Sequence, residues 1–137
     1  MSDVDPRQFS PTVVLFESSN SGYETPDRLV VRDARRWQET WQQLHGPLGA
    51  ERPAPAIDFT REVVVVIALG QRGSGGHAAR VEGVVEMDGE VIVRVREWAP
   101  GAGCMSTQQM TSPALAVRVP AGPRGVRVEA TAEEQKC

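Results

Sequence analysis

The chain reads as mainly β, of the α+β kind: an antiparallel-dominated sheet or sandwich with one packed α-helix at about 34–45. Three observations predict this. Short runs rich in β-branched residues recur along most of the chain. Only one stretch, "DARRWQETWQQLHGP", changes to helical spacing. The order is two strand-like segments, a helix and five further strand-like segments, without the strand–helix alternation that builds a parallel α/β enzyme fold.

Each element has its own signature. "TVVLFES" (12–18) is a first strand followed by a Ser/Asn/Gly cluster, and "DRLVVRD" (27–33) is a second. In the helix, Ala34, Trp37, Trp41 and Leu44 recur on one face. Asp33 suits its N-cap, because a carboxylate can accept the free N–H groups of the first turn. Gly46 and Pro47 end it. The two indoles could form a binding platform, but a stripe packed on the sheet is the favoured reading. "LGAERPAPA" (48–56) is a proline-bearing connector, too short to separate domains. "REVVVVIAL" (61–69) is almost continuously apolar, so it should lie centrally in a sheet with both faces covered.

The later segments are "HAARVEGVVEM" (77–87), "EVIVRVREW" (90–98), "PALAVRVP" (113–120) and "RGVRVEAT" (124–131). Asp88-Gly89 signals a hairpin between the first two. A two-residue turn there would pair Val85 with Ile92 and scatter charge onto both faces. A three-residue turn, with Gly89 in a left-handed bulge, would put Val85 opposite Val91, Gly83 opposite Val93 and Val81 opposite Val95. Burying those valines at ~1.5–3 kcal/mol each favours the three-residue turn.

The 137 residues fit a single domain, 1–137, with an ordinary apolar content of 40%. A net charge of −3 and scattered arginines give no footprint for nucleic acid. No run approaches the ~18–20 apolar residues of a membrane span. "MSDVDPRQFS" has no apolar stretch, so no signal peptide is expected in the sequence given, and the compartment stays open. Cys104 and Cys137 could form one disulfide, which sequence alone does not establish.

"LGQRGSGGH" (69–77) follows the most apolar run and invites comparison with phosphate-binding loops. Gly70 and Gly75 have Walker spacing, but Gly76 and His77 stand where Lys and Ser/Thr must hold phosphate and Mg²⁺. The dinucleotide fingerprint fails as well, and no helix follows. A flexible hairpin loop with glycines at positive φ remains. Cys104 with His77 or His45 could make a nucleophile–base pair, but no known nucleophile motif surrounds the thiol. No catalytic, cofactor or metal site is expected. "APGAGCMSTQQMTSP" (99–113) is long, uncharged and rich in small residues, with two amides, two methionines and one thiol. It suits either a recognition surface or a connector that satisfies its own backbone.

These two loops and their spacing carry a resemblance. Residues 58–120 resemble the C-terminal domain of the PrcB family at Asp58-Phe59, Leu69-Gly70, Ser74-Gly75-Gly76, Glu97, Pro100-Gly101, Gly103, Thr107-Gln108, Thr111 and Pro113. The chain departs at His77, where an aromatic is usual, and at Gly73, where Pro is common. The resemblance implies a non-catalytic accessory or stabilising subunit that binds a protein partner, an exported protease, outside the cytoplasm. Such proteins are often lipid-anchored. Gly73, Ser74, Gly75, Gly76 and His77 of the first loop, with Pro100, Gly101, Cys104, Gln108 and Gln109 of the second, are the implied partner-binding residues. More weakly, the Gly-Gly turn resembles the loops of chagasin-like cysteine-protease inhibitors, which insert neighbouring loops into an active-site cleft. A Cys104-dependent enzyme is the third and least favoured reading.

Overall fold

The computed structural model describes residues 13–48 and 52–137. The start of the first predicted strand, the "MSDVDPRQFS" segment and part of the proline-bearing connector lie outside these residues. Among the described residues, seven strands and one α-helix are formed in the order β1 (Val13–Ser18), β2 (Asp27–Val31), α1 (Ala34–His45), β3 (Glu62–Ala68), β4 (Ala78–Met87), β5 (Glu90–Pro100), β6 (Ala114–Pro120) and β7 (Val126–Gln135). A 3-10 turn, Gly46–Leu48, follows the helix. The strands make two sheets, one ordered β1-β6-β3-β2 and one ordered β4-β5-β7. All pairs are antiparallel except β5 with β7, which run parallel.

The expected central strand is β3, with β6 on one side and β2 on the other. Its alternation splits the core in two. Val63, Val65, Ile67 and Leu69 face the second sheet, where they meet Val84, Val91, Val93 and Val95. Val64, Val66 and Ala68 face the helix, where they meet Trp37 and Leu44. The layers are therefore helix, four-stranded sheet, three-stranded sheet, and both faces of β3 are dry, as a continuous apolar run requires.

Small residues make room for the indoles. Ala68, Ala114 and Ala116 form the sheet surface under α1, and Trp37 fills the space at 2% exposure. Its Nε1–H donates to the Pro55 carbonyl at 3.0 Å, so burial leaves no orphaned donor there. Trp41 is half-buried and packs edge-on against Phe16 of β1, with centroids 6.2 Å apart. Trp37, Trp41 and Leu44 thus form a packing face with Thr40 buried beside them, while Ala34 of the predicted stripe is exposed. Asp33 caps the helix by accepting from the Arg36 N–H at 2.8 Å, and Gly46 ends it at φ 67.

The hairpin register is corrected. Asp88 and Gly89 form a two-residue turn with φ of 54 and 81, the positive pair of a type I′ turn. Met87 pairs with Glu90 and Val85 with Ile92. The extra residue expected at the turn sits instead in a bulge between Val81 and Gly83, beyond which Val81 does pair with Val95. The run Val81-Glu82-Gly83-Val84 then gives an inward valine at each end, with both meeting the core cluster. The bulge restores the apolar face that the three-residue turn was invoked to supply, and the turn keeps its preferred geometry. Charge stays outside, where Glu82 Oε2 lies 2.9 Å from Arg96 Nε.

A second correction concerns "LGQRGSGGH". It is no hairpin loop, since β3 belongs to the four-stranded sheet and β4 to the three-stranded one. The loop is the step between layers.

Candidate functional site

Crossing between layers brings the first loop against the second. Thr111 and Arg72 exchange both backbone hydrogen bonds, at 2.7 and 2.9 Å, in an isolated antiparallel bridge. Leu69 N–H donates to Pro113 O at 2.9 Å. Further out, the Gly75 N–H donates to Thr107 O at 3.1 Å, and the Thr111 hydroxyl donates to Ser74 O at 2.8 Å. Thr111 and Ser112 are buried, so these bonds satisfy a polar base under the loops. Sequence reasoning saw Thr107 and Thr111 only as matches to a pattern; their work is to lace the loops together.

Glycines let the loops approach. A Cβ on Gly75 would stand 2.5 Å from Thr107 Oγ1. Gly76 has φ 87, and a Cβ there would press on the Pro100 ring at 3.2 Å. Gly101 abuts the Gln135 carbonyl so closely that a Cβ would collide with backbone. Gly73 has open space around it and is exposed.

The candidate residues therefore separate. Ser74, Gly75, His77, Pro100 and Gly101 are half-buried where the loops and the end of β7 meet. Gly73, Gly76, Gln108 and Gln109 are exposed. Residues 105–110 form an exposed tip in which Met105 is fully accessible and Met110 is 59% exposed. Cys104 is bonded to Cys137, so the pairing that sequence left open is made and Cys104 carries no thiol. The disulfide ties the end of β7 to the second loop.

His77 Nε2 lies 3.5 Å from the Ser74 hydroxyl, which itself donates to Gly75 O at 3.1 Å. Burial, and then the nearby Arg72 charge, hold the imidazole below its ordinary value of 6.5. Beside His77, a hollow of about 800 Å³ runs over Arg80, Trp98 and Gln135 on the outer face of the second sheet. Arg96 stacks 5.5 Å from the Trp98 ring and also pairs with Glu82 and Glu133. In the sequence Trp98 is only the last residue of the strand run 90–98. The alternation that puts Val91, Val93 and Val95 inside also sends Arg94, Arg96 and Trp98 outward, and that signal was present in the sequence.

Both loops fall inside one recognisable unit. Residues 63–120 match the family model of the PrcB C-terminal domain. The PrcB match runs from the start of β3 to the end of β6, so it takes in both laced loops, the β4–β5 hairpin and the central pair β3–β6. Helix α1, β1, β2 and β7 lie outside it. No curated protein matches the chain. No solved structure matches it either. Among the described residues, no helix is long and apolar enough to cross a membrane.

Proposed function

We propose that this protein is a non-catalytic accessory subunit that binds and stabilises a protein partner, an exported protease, through residues 70–77 and 99–113. The match of residues 63–120 to the PrcB C-terminal domain carries this reading. The geometry supports it, because two laced loops present an exposed tip with two amides and two methionines. Methionine is unbranched and polarizable, and adapts to a partner's surface at little strain. The Cys104–Cys137 disulfide supports an oxidising, extracytoplasmic compartment. It also removes the thiol on which a Cys104-dependent enzyme would rely.

Affinity capture from the native cell envelope, with mass spectrometry, tests the reading. The expected result is a co-purifying protease that is lost with the double variant Gln108→Ala/Gln109→Ala. Both amides are exposed, so that variant should hold its stability to within about 0.5 kcal/mol. Capture unchanged by the double variant would take these amides out of the contact.

The side-by-side loops also favour one alternative, a chagasin-like inhibitor acting through the same residues. Titration into a papain-type protease separates the two. Stoichiometric loss of activity decides for the inhibitor, whereas retained activity removes the inhibitor reading.

A further inference from the structure

Among the described residues, two sheets leave four outer strands, and three of them have edges that resist pairing. β1 is interrupted by a bulge between Val14 and Phe16, and β4 by the bulge between Val81 and Gly83. β2 has five residues and follows Pro26. Bulges, brevity and proline are the devices that keep sheet edges from recruiting other chains. β7 has none of them. It pairs with β5 in unbroken register from Val91↔Val126 to Pro100↔Gln135, over ten residues, and among the described residues no strand pairs with its other side.

This strand is also held out where its own burial does not require it. From Thr131 onward every residue is exposed. The C-terminal half of β7 has β5 on one side and the disulfide from Cys137 to Cys104 at its end. The bond keeps an extended, half-solvated strand beside the second loop.

Charge selects the occupant. Strand β7 carries three carboxylates, Glu129, Glu133 and Glu134, against one cation, Arg127, which already pairs with Glu90 and Glu129. Glu129 and Glu133 lean toward Arg94 and Arg96 on β5 but stay 44% and 45% exposed. Self-pairing would bring three carboxylates and one cation from each copy to the new ladder, so like charges outnumber opposite ones and disfavour it. We propose that the free edge of β7 is a strand-addition site for an extended basic segment of the protein partner, with Lys or Arg at alternate positions and β-branched residues between them. Backbone hydrogen bonds to β7 supply the affinity and the alternating cations supply the selection. The inference deepens the partner-binding reading and rests on it, but it names a different surface.

The test needs no partner. The ¹⁵N-labelled protein, with its disulfide intact, is titrated with the peptide Lys-Val-Lys-Thr-Lys-Val-Lys-Thr-Lys and followed by amide shifts and hydrogen exchange. The expected result is new protection at alternate amides of β7. The peptide with Glu in place of every Lys should give none. Glu134→Lys, at an exposed position, should weaken binding about three-fold, and raising the salt to ~0.5 M should weaken it further. Protection on β1, β2 or β4, or shifts confined to 70–77 and 99–113, would overturn the proposal while leaving the loop reading intact. A concentration-dependent dimer that protects β7 would also overturn it, since the occupant would then be a second copy and not a basic segment. A β7 response alongside capture that Gln108→Ala/Gln109→Ala leaves unchanged would support the edge and remove the loops.

Discussion

Gly75→Ala tests the lacing of the loops directly. Gly75 does not have a positive φ, so alanine meets no left-handed penalty there; its Cβ would meet Thr107 Oγ1 at 2.5 Å and Thr107 Cβ at 3.7 Å. Only the hydroxyl is in the way. Relief comes from turning Thr107 away from its rotamer well, at about 0.5–1.5 kcal/mol. Otherwise the loops part and lose the Gly75–Thr107 hydrogen bond, worth a similar ~0.5–1.5 kcal/mol. Against this, Gly→Ala lowers the entropy of the unfolded chain and returns about 0.4–1 kcal/mol. The single variant should therefore lie between neutral and about 1 kcal/mol less stable, too small a change to interpret alone. In a Thr107→Ala background the clash is gone and the entropic gain remains, so the same substitution should stabilise. The cycle of four proteins, measured by urea unfolding under non-reducing conditions, should show a coupling of about 0.5–1.5 kcal/mol between the sites. A cycle that closes to within about 0.3 kcal/mol would show that the loops do not touch through this pair.

Trp37→Ala should cost about 3–5 kcal/mol in thermal or urea unfolding, because the indole is fully buried, while Trp41→Ala should cost clearly less. Gly89→Val should destabilise the β4–β5 hairpin, because a β-branched residue resists positive φ, whereas Asp88→Asn should be neutral or stabilising. Nuclear Overhauser contacts between Val85 and Ile92 would check the underlying register. His77 should titrate below 6.5. Its imidazole is depressed in the fold, so the unfolded chain binds the proton more readily, and stability should fall as pH drops through about 6.5 toward the folded value. His77→Gln should flatten that part of the stability–pH curve, and imidazole chemical shifts should show the depressed inflection.

Much of the fold was legible because local signals agreed with one another. The uninterrupted run around Val63–Ala68 allows no solvent-facing side, and it became the strand with a core on each face. Asp33, the Trp37–Leu44 spacing and Gly46 each mark the same helix. The hairpin register was not legible, because two solutions satisfy the same apolar pattern and differ only in where one residue is spare. Nor was the sheet membership of the strands. The glycine loop between β3 and β4 looks like a short antiparallel connection, and nothing in its composition distinguishes a turn within a sheet from a step between two. The candidate site follows the same division. Its glycines and amides are visible as letters, but the Arg72–Thr111 bridge and the Gly75–Thr107 contact join positions more than thirty residues apart and exist only once the layers have stacked.

The bulge at Glu82 has a consequence for how this architecture can vary. It divides the β4–β5 ribbon into two stretches whose inside and outside are assigned independently. A residue gained or lost on the turn side can be absorbed at that joint before it reaches Ala78 and Trp98, which flank the laced loops. The distal tip of the ribbon is thus free to lengthen, shorten or change its turn over evolutionary time while the end beside the loops keeps its aim.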